Sequence, residues 1–362
     1  MHPYIHAKNT PNKAAFIMAS SGKITTYKEL DEKSNQIAHL FRKRGLKAGD
    51  GISIFMENNS KFLEICWAAQ RSGLYFTPIS SRLTASEVEY IHRDCNSKLI
   101  ISSNYLKDVA KHLVKITKNT PSHLMVDEVI DGWESFELAI EELPKTPISD
   151  QEMGQDMLYS SGTTGKPKGI RIPLKHTPIE QSEGLMALVT TLYQMNSNTV
   201  YLSPAPLYHA APLRFTMGLN YLGGTNIIME NFDAEQSLSF IEKYKVTMSQ
   251  WVPTMFVRMF KLPKEIRDRY DLSTHECAIH AAAPCPIDIK RMMIEWWGNI
   301  IHEFYAGSEA NGFVACNSDE WLAHEGTVGK PIVGTPHICD ENGKELPTGS
   351  EGTIWFESDV EF

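Results

Sequence analysis

One eleven-residue stretch collects the residue types that bind phosphate. The segment Tyr159–Gly169, YSSGTTGKPKG, contains three glycines, two serines, two threonines and two lysines. Glycines allow backbone N–H groups to turn toward an anion, hydroxyl groups donate further hydrogen bonds, and Lys168 supplies positive charge. The residue types therefore indicate a phosphate site, and their spacing has to decide which kind.

The spacing excludes the common phosphate-binding loop. That loop requires Gly-x-x-x-x-Gly-Lys followed at once by Ser or Thr. Here Gly162 and Gly165 are only three positions apart, and Pro167 stands where the magnesium-binding hydroxyl should be. A Walker-type kinase or ATPase is therefore a distant alternative. A polar surface loop without function is a second alternative, which the density of glycines, hydroxyls and lysines disfavours.

The residues before this stretch alternate between helix and strand signals. Thr26 and Glu29 stand at capping-box spacing ahead of an amphipathic helix, and Thr84 and Glu87 repeat the pattern. Apolar runs such as Gly51–Met56, GISIFM, predict buried strands between the helices. This alternation is typical of a parallel sheet with helices on its faces, so the predicted fold class is α/β.

The alternation of helix and strand signals resumes after the phosphate-binding stretch and then changes to a pattern of short strands and turns. From Gly326 onward, short strand-like runs are separated by Gly, Pro and ENGK turns. We expect an α/β body over residues 1–325, built from two subdomains that meet near residues 180–200. Residues 326–362 are expected to begin an antiparallel β subdomain.

Composition narrows the function classes. The 362-residue chain has 35 basic and 44 acidic residues and a formal net charge of −9, which disfavours nucleic acid as its main partner. Its six cysteines contain no Cys-x-x-Cys pair, so free thiols are expected. The sequence shows neither a run long enough to span a membrane nor the apolar core of a signal peptide. A cytoplasmic enzyme is expected, with peripheral membrane contact and oligomeric state left open.

Three further motifs follow the phosphate-binding stretch in order. They are PLYHAAP (Pro206–Pro212), HAAAPCP (His280–Pro286) and EFYAGSE (Glu303–Glu309), and GTVGKPIVG follows from Gly326. Together the motifs resemble, over essentially the whole chain, those of the adenylate-forming superfamily: acyl-CoA synthetases, luciferases and the adenylation domains of peptide synthetases. The nearest resemblance is to the N-terminal domain of bacterial fatty-acyl or bile-acid-type CoA ligases.

The chain departs from the family pattern at five positions. Ala281 and Ala282 stand where glycines are frequent, Ala306 replaces a glycine, Ser308 replaces a threonine, and Glu303 stands where an amide is more usual. The resemblance nevertheless implies stacked α/β subdomains with mostly parallel sheets, followed by a small antiparallel β subdomain. It also implies an AMP-forming acyl-CoA synthetase that uses ATP and Mg²⁺, with CoA as co-substrate.

The implied chemistry accounts for the residue types. A carboxylate attacks the α-phosphate of ATP to give an acyl adenylate and pyrophosphate, and a thiol then accepts the acyl group. Because two anions react, cations and backbone dipoles have to offset their repulsion. The protein needs no nucleophile of its own, which agrees with the absence of a Gly-x-Ser-x-Gly elbow from the sequence.

The resemblance implies roles residue by residue. The residues implied to hold the ATP phosphates are Ser160, Ser161, Gly162, Thr163, Thr164, Gly165 and Lys168. Those implied around the adenine are Ala282, Ala283, Pro284, Glu303, Phe304 and Tyr305, whose ring would stack on the base. Ser308 would contact the α-phosphate, and Glu309 with Thr164 would hold Mg²⁺. The implied catalytic residues are Lys168, His209 and Glu309.

The segment PLYHAAPLRF narrows the acid. It offers Tyr208 and His209 where peptide-synthetase domains place an Asp to pair with an ammonium group. An apolar wall with one histidine suits a fatty or other apolar acid. His209 would orient the carboxylate of this acid or gate the tunnel that holds its acyl group. A histidine in an apolar run is also often a core residue. Trp251 and Gly307 complete the expected substrate set, although core packing is nearly as good an interpretation of Trp251.

Two alternatives to an acyl-CoA ligase stay open. One is an adenylating enzyme that loads its acyl group onto a carrier protein, and the other is a catalytically silent ATP- or AMP-binding domain. The resemblance implies that a ribose-binding Asp, a hinge and a swivelling C-terminal domain follow after Phe362. We therefore expect this chain to be the N-terminal part of a longer ligase and to turn over poorly alone.

Overall fold

The chain forms two compact units. The structure, a computed structural model, describes residues 2–117, 120, 122–160, 166–181 and 184–357. Backbone packing divides the chain into Met1–Phe232 and Asp233–Phe362, called here the first unit and the second unit. The expected boundaries near residues 180–200 and after residue 325 stay predictions.

The first unit alternates helices and strands, as predicted. Its helices are α1 (Pro3–Asn9), α2 (Tyr27–Lys43), α3 (Ser60–Arg71), α4 (Ala85–Asp94), α5 (Lys107–Ile116), α6 (Phe136–Ile140), α7 (Gly184–Tyr193) and α8 (Ala210–Leu222). Its strands are β1 (Ala14–Met18), β2 (Ile24–Thr26), β3 (Gly51–Phe55), β4 (Tyr75–Ile79), β5 (Ser97–Ser103), β6 (Ser122–Val126), β7 (Glu134–Ser135), β8 (Gln155–Asp156), β9 (Leu158–Ser160), β10 (Lys168–Ile170), β11 (Val200–Ser203) and β12 (Thr225–Ile228).

Parallel pairing dominates the first unit. A six-stranded sheet has the order β7-β6-β5-β3-β4-β8, with every pair parallel. In a second group, β11 and β1 flank β12 in parallel, and β2 adds to β1 in antiparallel orientation. Strands β9 and β10 form a separate antiparallel hairpin. The α/β prediction is confirmed for this unit.

The predicted capping boxes start two of its helices. The Thr26 hydroxyl accepts a hydrogen bond from the Glu29 backbone N–H at 3.2 Å, and the Glu29 carboxylate accepts one from the Thr26 N–H at 2.8 Å. Thr84 and Glu87 form the same reciprocal arrangement at the start of α4. Each box satisfies backbone N–H groups that have no partner within the helix, so the starts are determined locally.

A large apolar core packs helices α2 and α3 onto the sheets of the first unit. Phe41 and Trp67 are fully buried within it, together with Ile54 of β3. Leu207 and Tyr208 of the PLYHAAP segment belong to the same core. The segment that carries His209 is therefore fixed by apolar packing on the residues just before it.

The second unit contains a mixed sheet and a hairpin. Its helices are α9 (Ala234–Tyr244), α10 (Pro253–Phe260), α11 (Lys264–Arg267), α12 (Ile287–Trp297) and α13 (Ser318–Ala323). Its strands are β13 (Met248–Trp251), β14 (Cys277–His280), β15 (Ile301–Ala306), β16 (Phe313–Cys316), β17 (Lys330–Val333), β18 (Thr335–Cys339) and β19 (Thr353–Glu357). Strands β13, β14 and β15 are parallel, whereas β16 and β17 add in antiparallel orientation and β18 pairs with β19. The antiparallel strands predicted after Gly326 are confirmed.

The free thiols expected from the sequence are observed. All six cysteines are free, and all are buried except the half-buried Cys285. Over the described ranges, no helix has the length and apolar character needed to cross a membrane.

Two glycines of GTVGKPIVG differ in the space around them. Gly326 and Gly329 both have positive φ, at 88° and 112°. A Cβ at Gly329 would lie 2.1 Å from the backbone carbonyl carbon of Ala315, whereas a Cβ at Gly326 meets only the Ile287 side chain at 3.5 Å. A side chain at Gly329 would therefore meet both an unfavourable left-handed backbone and a lack of space. A side chain at Gly326 would meet only the unfavourable backbone.

We expect Gly329→Ala to lower the free energy of unfolding by roughly 3 kcal/mol or more, because the backbone has to move. Gly326→Ala should cost only about 1–2 kcal/mol, the usual cost of a left-handed alanine. Urea unfolding of both variants measures the difference. Equal losses would contradict the packing argument.

Two buried histidines are neutral in the folded chain. Burial, and then His123, lowers the pKa of His92 to about 4, and its ring nitrogens lie 2.9 Å from the Ser53 hydroxyl and 2.7 Å from that of Thr120. In the second unit, burial lowers the pKa of His275 to about 3. The ordinary value is 6.5, so each histidine takes up a proton when the chain unfolds between these limits.

Stability should therefore fall as the pH is lowered from 6.5, the ordinary histidine pKa, towards 4, with no contribution from these groups above that range. Each histidine contributes a slope of about 1.4 kcal/mol per pH unit within its range. Unfolding measured from pH 7 to pH 5 checks this. His92→Gln, which removes the titration, should reduce proton uptake at pH 5 by about one. An unchanged uptake in that variant would contradict the assignment.

Candidate active site

The stretch predicted to bind phosphate includes parts of β9 and β10, which pair in antiparallel orientation. In its register, Ser160 lies opposite Lys168, and Tyr159 lies opposite Gly169. Lys168 is exposed and stands where the two strands open into the connecting loop. The predicted phosphate ligands that fall outside the described residues are Ser161, Gly162, Thr163, Thr164 and Gly165.

Aromatic side chains anchor the hairpin at both strands. The Tyr159 hydroxyl donates to the Asp94 carboxylate at 2.5 Å, and the Tyr90 hydroxyl donates to the Pro167 carbonyl at 3.2 Å. A Cβ at Gly169 would lie 2.8 Å from the Tyr159 ring, so only glycine leaves room for it. Burial, and then the hydrogen bond to Asp94, raises the pKa of Tyr159, which therefore stays a donor. Tyr159 and Gly169, at the two ends of the motif, thus have structural roles in the hairpin.

One buried amide holds the segment that precedes His209. The Asn58 side-chain oxygen accepts from the Leu207 backbone N–H at 2.8 Å, and its nitrogen donates to the carbonyls of Ala205 at 3.2 Å and Met229 at 2.8 Å. Asn58 is only 5% exposed. The sequence did not single out Asn58, whose only signal is that it follows a predicted buried strand.

His209 is the N-cap residue of α8. Its backbone is extended, with φ −89° and ψ 150°, and its side chain makes no capping hydrogen bond within the described part of the chain. His209 is exposed, and the centre of its ring lies 4.6 Å from the centre of the ring of the buried Tyr208. The packing around His209, and then the Arg82 guanidinium, lowers its pKa, so the imidazole is neutral at pH 7.

These properties suit an anionic group beside His209. The first backbone N–H groups of α8 have no partner within the helix, and the helix dipole favours negative charge at this end. A neutral imidazole can donate one hydrogen bond without adding a charge of its own. The arrangement can therefore hold a carboxylate.

An ion pair links this helix to the strand that enters the phosphate hairpin. Arg214 of α8 donates from Nε to the Asp156 carboxylate at 2.8 Å, and Asp156 is the last residue of β8, two positions before β9 begins. The Asp156 side chain is buried. Neither residue carries a local sequence signal for this pair, since 58 positions separate them.

In the second unit, the HAAAPCP motif forms a turn between β14 and α12. Ala282 has φ +74°, a left-handed conformation that favours glycine, which is the residue the family frequently has there. The turn exposes Ala282, Ala283 and Pro284. Strand β14 leads into this turn and pairs in parallel with β15, which carries most of the EFYAGSE motif. The two motifs are therefore neighbours in the sheet.

Strand β15 presents the residues predicted around the base on alternating faces. Tyr305 is 44% exposed, and Glu303, two residues earlier, points to the same face of the sheet. Phe304 points to the other face and stacks on Phe313, with ring centroids 5.0 Å apart. The structure thus offers the Tyr305 ring to a ligand, whereas a base-binding role for Phe304 stays a prediction.

The turn after β15 brings two oxygen atoms together. A Cβ at Gly307 would lie 2.7 Å from Glu309 Oε2 and 3.0 Å from Asn311 Oδ1, so glycine leaves room for both side chains. Ser308 is half-buried in the same turn and Glu309 is exposed. Oxygen donors fit a hard cation that is bound mainly through nucleotide phosphates. The described residues contain no cluster of three or more His, Cys, Asp or Glu that would hold a metal ion unaided.

Trp251 lies inside the second unit. It is 1% exposed, its indole nitrogen donates to the Ser249 hydroxyl at 2.5 Å, and its ring meets that of Trp297 edge-on at 5.6 Å. These are the surroundings of a core residue. Its place in the acid pocket stays a prediction.

Nearly the whole chain matches known proteins. The family model of the AMP-binding enzyme matches the chain over residues 4–360. The chain belongs to the AMP-binding enzyme family. Its AMP-binding relatives include acyl-CoA synthetase 7 of Caenorhabditis elegans, 26% identical over 97% of this chain and 67% of the relative.

A second AMP-binding relative is the fatty acid–[acyl-carrier-protein] ligase ScoC of Streptomyces coeruleorubidus, 25% identical over 96% of this chain and 66% of the relative. The chain thus spans about two thirds of the length of these relatives. In fold it is similar to the N-terminal domain of FACL13 from Mycobacterium tuberculosis, with a TM-score of 0.80, 22% identity, and coverage of 97% of this chain and 86% of that chain. The predicted N-terminal AMP-binding fold is confirmed.

Proposed function

We propose that this protein activates a carboxylic acid with ATP, forming an acyl adenylate and pyrophosphate, and then transfers the acyl group to the thiol of CoA. The observation that carries the proposal is the Asp156–Arg214 ion pair, which joins β8, the strand just before the β9–β10 hairpin, to the helix whose N-cap is His209. Elements suited to a phosphate and to a carboxylate are thereby fixed to each other within the first unit.

The residues present suit the charges of this reaction. The acid's carboxylate oxygen forms a bond to the α-phosphorus as the bond to pyrophosphate breaks, and Lys168 offsets the negative charge that gathers on the leaving group. The N-terminus of α8 and the neutral His209 orient the carboxylate without competing as an anion. Glu309 and Asn311 would hold Mg²⁺, which when bound neutralises phosphate charge.

The acid is proposed to be apolar, with fatty acids the first class to examine. Tyr208 is buried, and alanines and Pro212 follow His209. The segment Tyr208–Pro212 contains no carboxylate that would pair with the ammonium group of an amino acid. An uncharged wall beside a carboxylate site favours an acid whose remainder is hydrocarbon.

A carrier-protein thiol is the second candidate acceptor. It is favoured by the likeness to the Streptomyces fatty acid–[acyl-carrier-protein] ligase, which matches this chain at nearly the same identity as the acyl-CoA synthetase. Both candidates share the adenylation step and differ only in the thiol that receives the acyl group.

ATP–pyrophosphate exchange across a panel of fatty, aromatic and amino acids tests the first step. Exchange that depends on an apolar acid supports the proposal, and exchange only with amino acids would overturn the assigned acid class. Offering CoA and a holo carrier protein then separates the two acceptors. A protein that binds ATP but exchanges with no acid would be a nucleotide-binding module instead.

A further inference from the structure

The chain contains two Asn-Gly pairs, and both lie in turns of the second unit. Asn311 precedes Gly312 in the turn between β15 and β16, and Asn342 precedes Gly343 in the ENGK turn after β18. An asparagine is most prone to lose its amide group when glycine follows, because glycine has no side chain to keep the backbone nitrogen away. The residue types mark both pairs, and their surroundings have to separate them.

The reaction needs only the pair itself and water. The backbone nitrogen of Gly312 forms a bond to Cγ of Asn311, the Cγ–Nδ2 bond breaks, and ammonia leaves with the backbone amide proton. Water then opens the five-membered imide at one of its two carbonyls. The product is an aspartate or an isoaspartate, so one neutral amide is exchanged for one carboxylate. Both reacting groups have to be free of other partners for this to happen.

Both groups are free at Asn311. The residue is exposed, and no hydrogen bond of its side-chain amide is found among the residues that the structure describes. The Gly312 N–H makes no backbone hydrogen bond within that part of the chain either. Neither group therefore has to give up a protein partner before the imide forms.

Packing requires the glycine at position 312. A Cβ there would lie 2.1 Å from Cδ1 of Phe356, so a side chain would displace the ring that β19 places over the turn. The Asn-Gly pair cannot be removed by changing its second residue without disturbing this contact. The susceptibility of Asn311 is thus tied to the packing of β19.

Hydrogen bonds hold the second Asn-Gly pair. The Gly343 N–H donates to the Asp340 carbonyl at 3.0 Å, and the N–H groups of Asn342 and Lys344 donate to the Asp340 carboxylate at 2.8 and 3.0 Å. The Gly343 nitrogen has to lose its bond before it can attack Asn342. One such bond contributes about 1 kcal/mol, which corresponds to roughly fivefold in rate.

The loss of the Asn311 amide would add charge beside Glu309. A Cβ at Gly307 would lie 2.7 Å from Glu309 Oε2 and 3.0 Å from Asn311 Oδ1, so the two oxygens flank one point of the turn. Asn311 contributes a neutral amide there, and its product contributes a second carboxylate. Two neighbouring carboxylates repel an anionic ligand more strongly than one carboxylate and one amide.

We propose that Asn311 is a site of spontaneous deamidation in the folded protein, where an ageing chain acquires a second carboxylate beside Glu309 and loses affinity for Mg·ATP. Asn342 reacts more slowly under the same conditions. The modification itself is independent of the proposed function, whereas its effect on nucleotide binding rests on that function.

The first test incubates the wild-type chain in mildly alkaline buffer and follows both Asn-Gly peptides by mass spectrometry, which detects the exchange of NH₂ for OH. Asn311 should react at least roughly fivefold faster than Asn342. In the chain unfolded by urea, this difference should disappear. Asn311→Gln, whose longer side chain would have to close a six-membered ring, should abolish most of the acidic shift on isoelectric focusing, and Asn342→Gln should preserve it.

The second test uses Asn311→Asp, which reproduces one of the two products. By isothermal titration calorimetry it should bind Mg·ATP about tenfold more weakly than the wild-type chain, the effect of one partly screened charge near the phosphates. Asn342→Asp is the matched control, because it adds the same charge in the exposed turn after β18 and should leave the affinity unchanged.

The outcomes distinguish the site, its effect and the proposed function. Equal rates at the two asparagines in the folded chain, a faster reaction at Asn342, or a reaction of Asn311 only after unfolding would overturn the site. Affinity for Mg·ATP that is the same in Asn311→Asp and the wild-type chain would refute the effect. A wild-type chain that deamidates at Asn311 but binds no ATP would refute the proposed function and leave the modification site standing.

Discussion

Replacing Lys168 with methionine is expected to slow acyl-adenylate formation by about 10²–10³-fold, the usual loss when one group that stabilises transition-state charge is removed. Lys168 is exposed at the open end of the β9–β10 hairpin, so the substitution removes charge and little packing. The free energy of unfolding should therefore stay the same. ATP–pyrophosphate exchange with a saturating acid measures the rate.

Lys166→Met is the matched control for this prediction. Lys166 is also exposed, and its ammonium lies 5.5 Å from the centre of the Tyr90 ring. We expect its loss to slow exchange by less than about tenfold, because a screened surface charge contributes little. Equal losses in the two variants would show that the hairpin acts through its overall charge and would remove Lys168 from its specific role.

Replacing Asn58 with alanine is expected to destabilise the first unit by about 3–5 kcal/mol, since three buried backbone groups lose their hydrogen bond to this side chain at once. The groups are the Leu207 N–H and the carbonyls of Ala205 and Met229. Because these bonds hold the chain just before His209, the KM for the acid should rise as well. Urea unfolding and acid titration measure the two effects.

The neighbouring Asn59 provides the comparison. Its side chain caps α3 by accepting from the Lys61 N–H at 2.9 Å, so Asn59→Ala should cost about 1 kcal/mol, the usual value for an N-cap, and leave the KM for the acid unchanged. If Asn58→Ala were no more damaging than Asn59→Ala, the three hydrogen bonds would not be holding the segment.

Local signals made much of the fold predictable. The capping boxes at Thr26 and Thr84 start helices where the sequence places them, because their hydrogen bonds join residues only three positions apart. The supporting residues of the site gave no comparable signal. Asn58 acts on a segment 149 positions away, and Lys290 of α12 forms a buried ion pair with Glu303 of β15, so only the folded chain brings each pair together.

Residue type alone was also insufficient at two other positions. Trp251 suits a ligand pocket and a core equally well, and the contact with Trp297 that makes it a core residue depends on tertiary packing. Ala282 could be recognised as a replacement for a frequent glycine. Its left-handed backbone, at φ +74°, could be known only from the folded turn.

The left-handed Ala282 has a consequence for how a nucleotide would be received. Alanine at this φ lowers the stability of the folded chain relative to glycine. However, an alanine backbone has far fewer accessible conformations than a glycine backbone when the turn is empty. Part of the conformational entropy of the turn at Ala282–Pro284 is therefore lost when the protein folds, before any ligand arrives. This chain gives up some stability for a turn that is already shaped before binding.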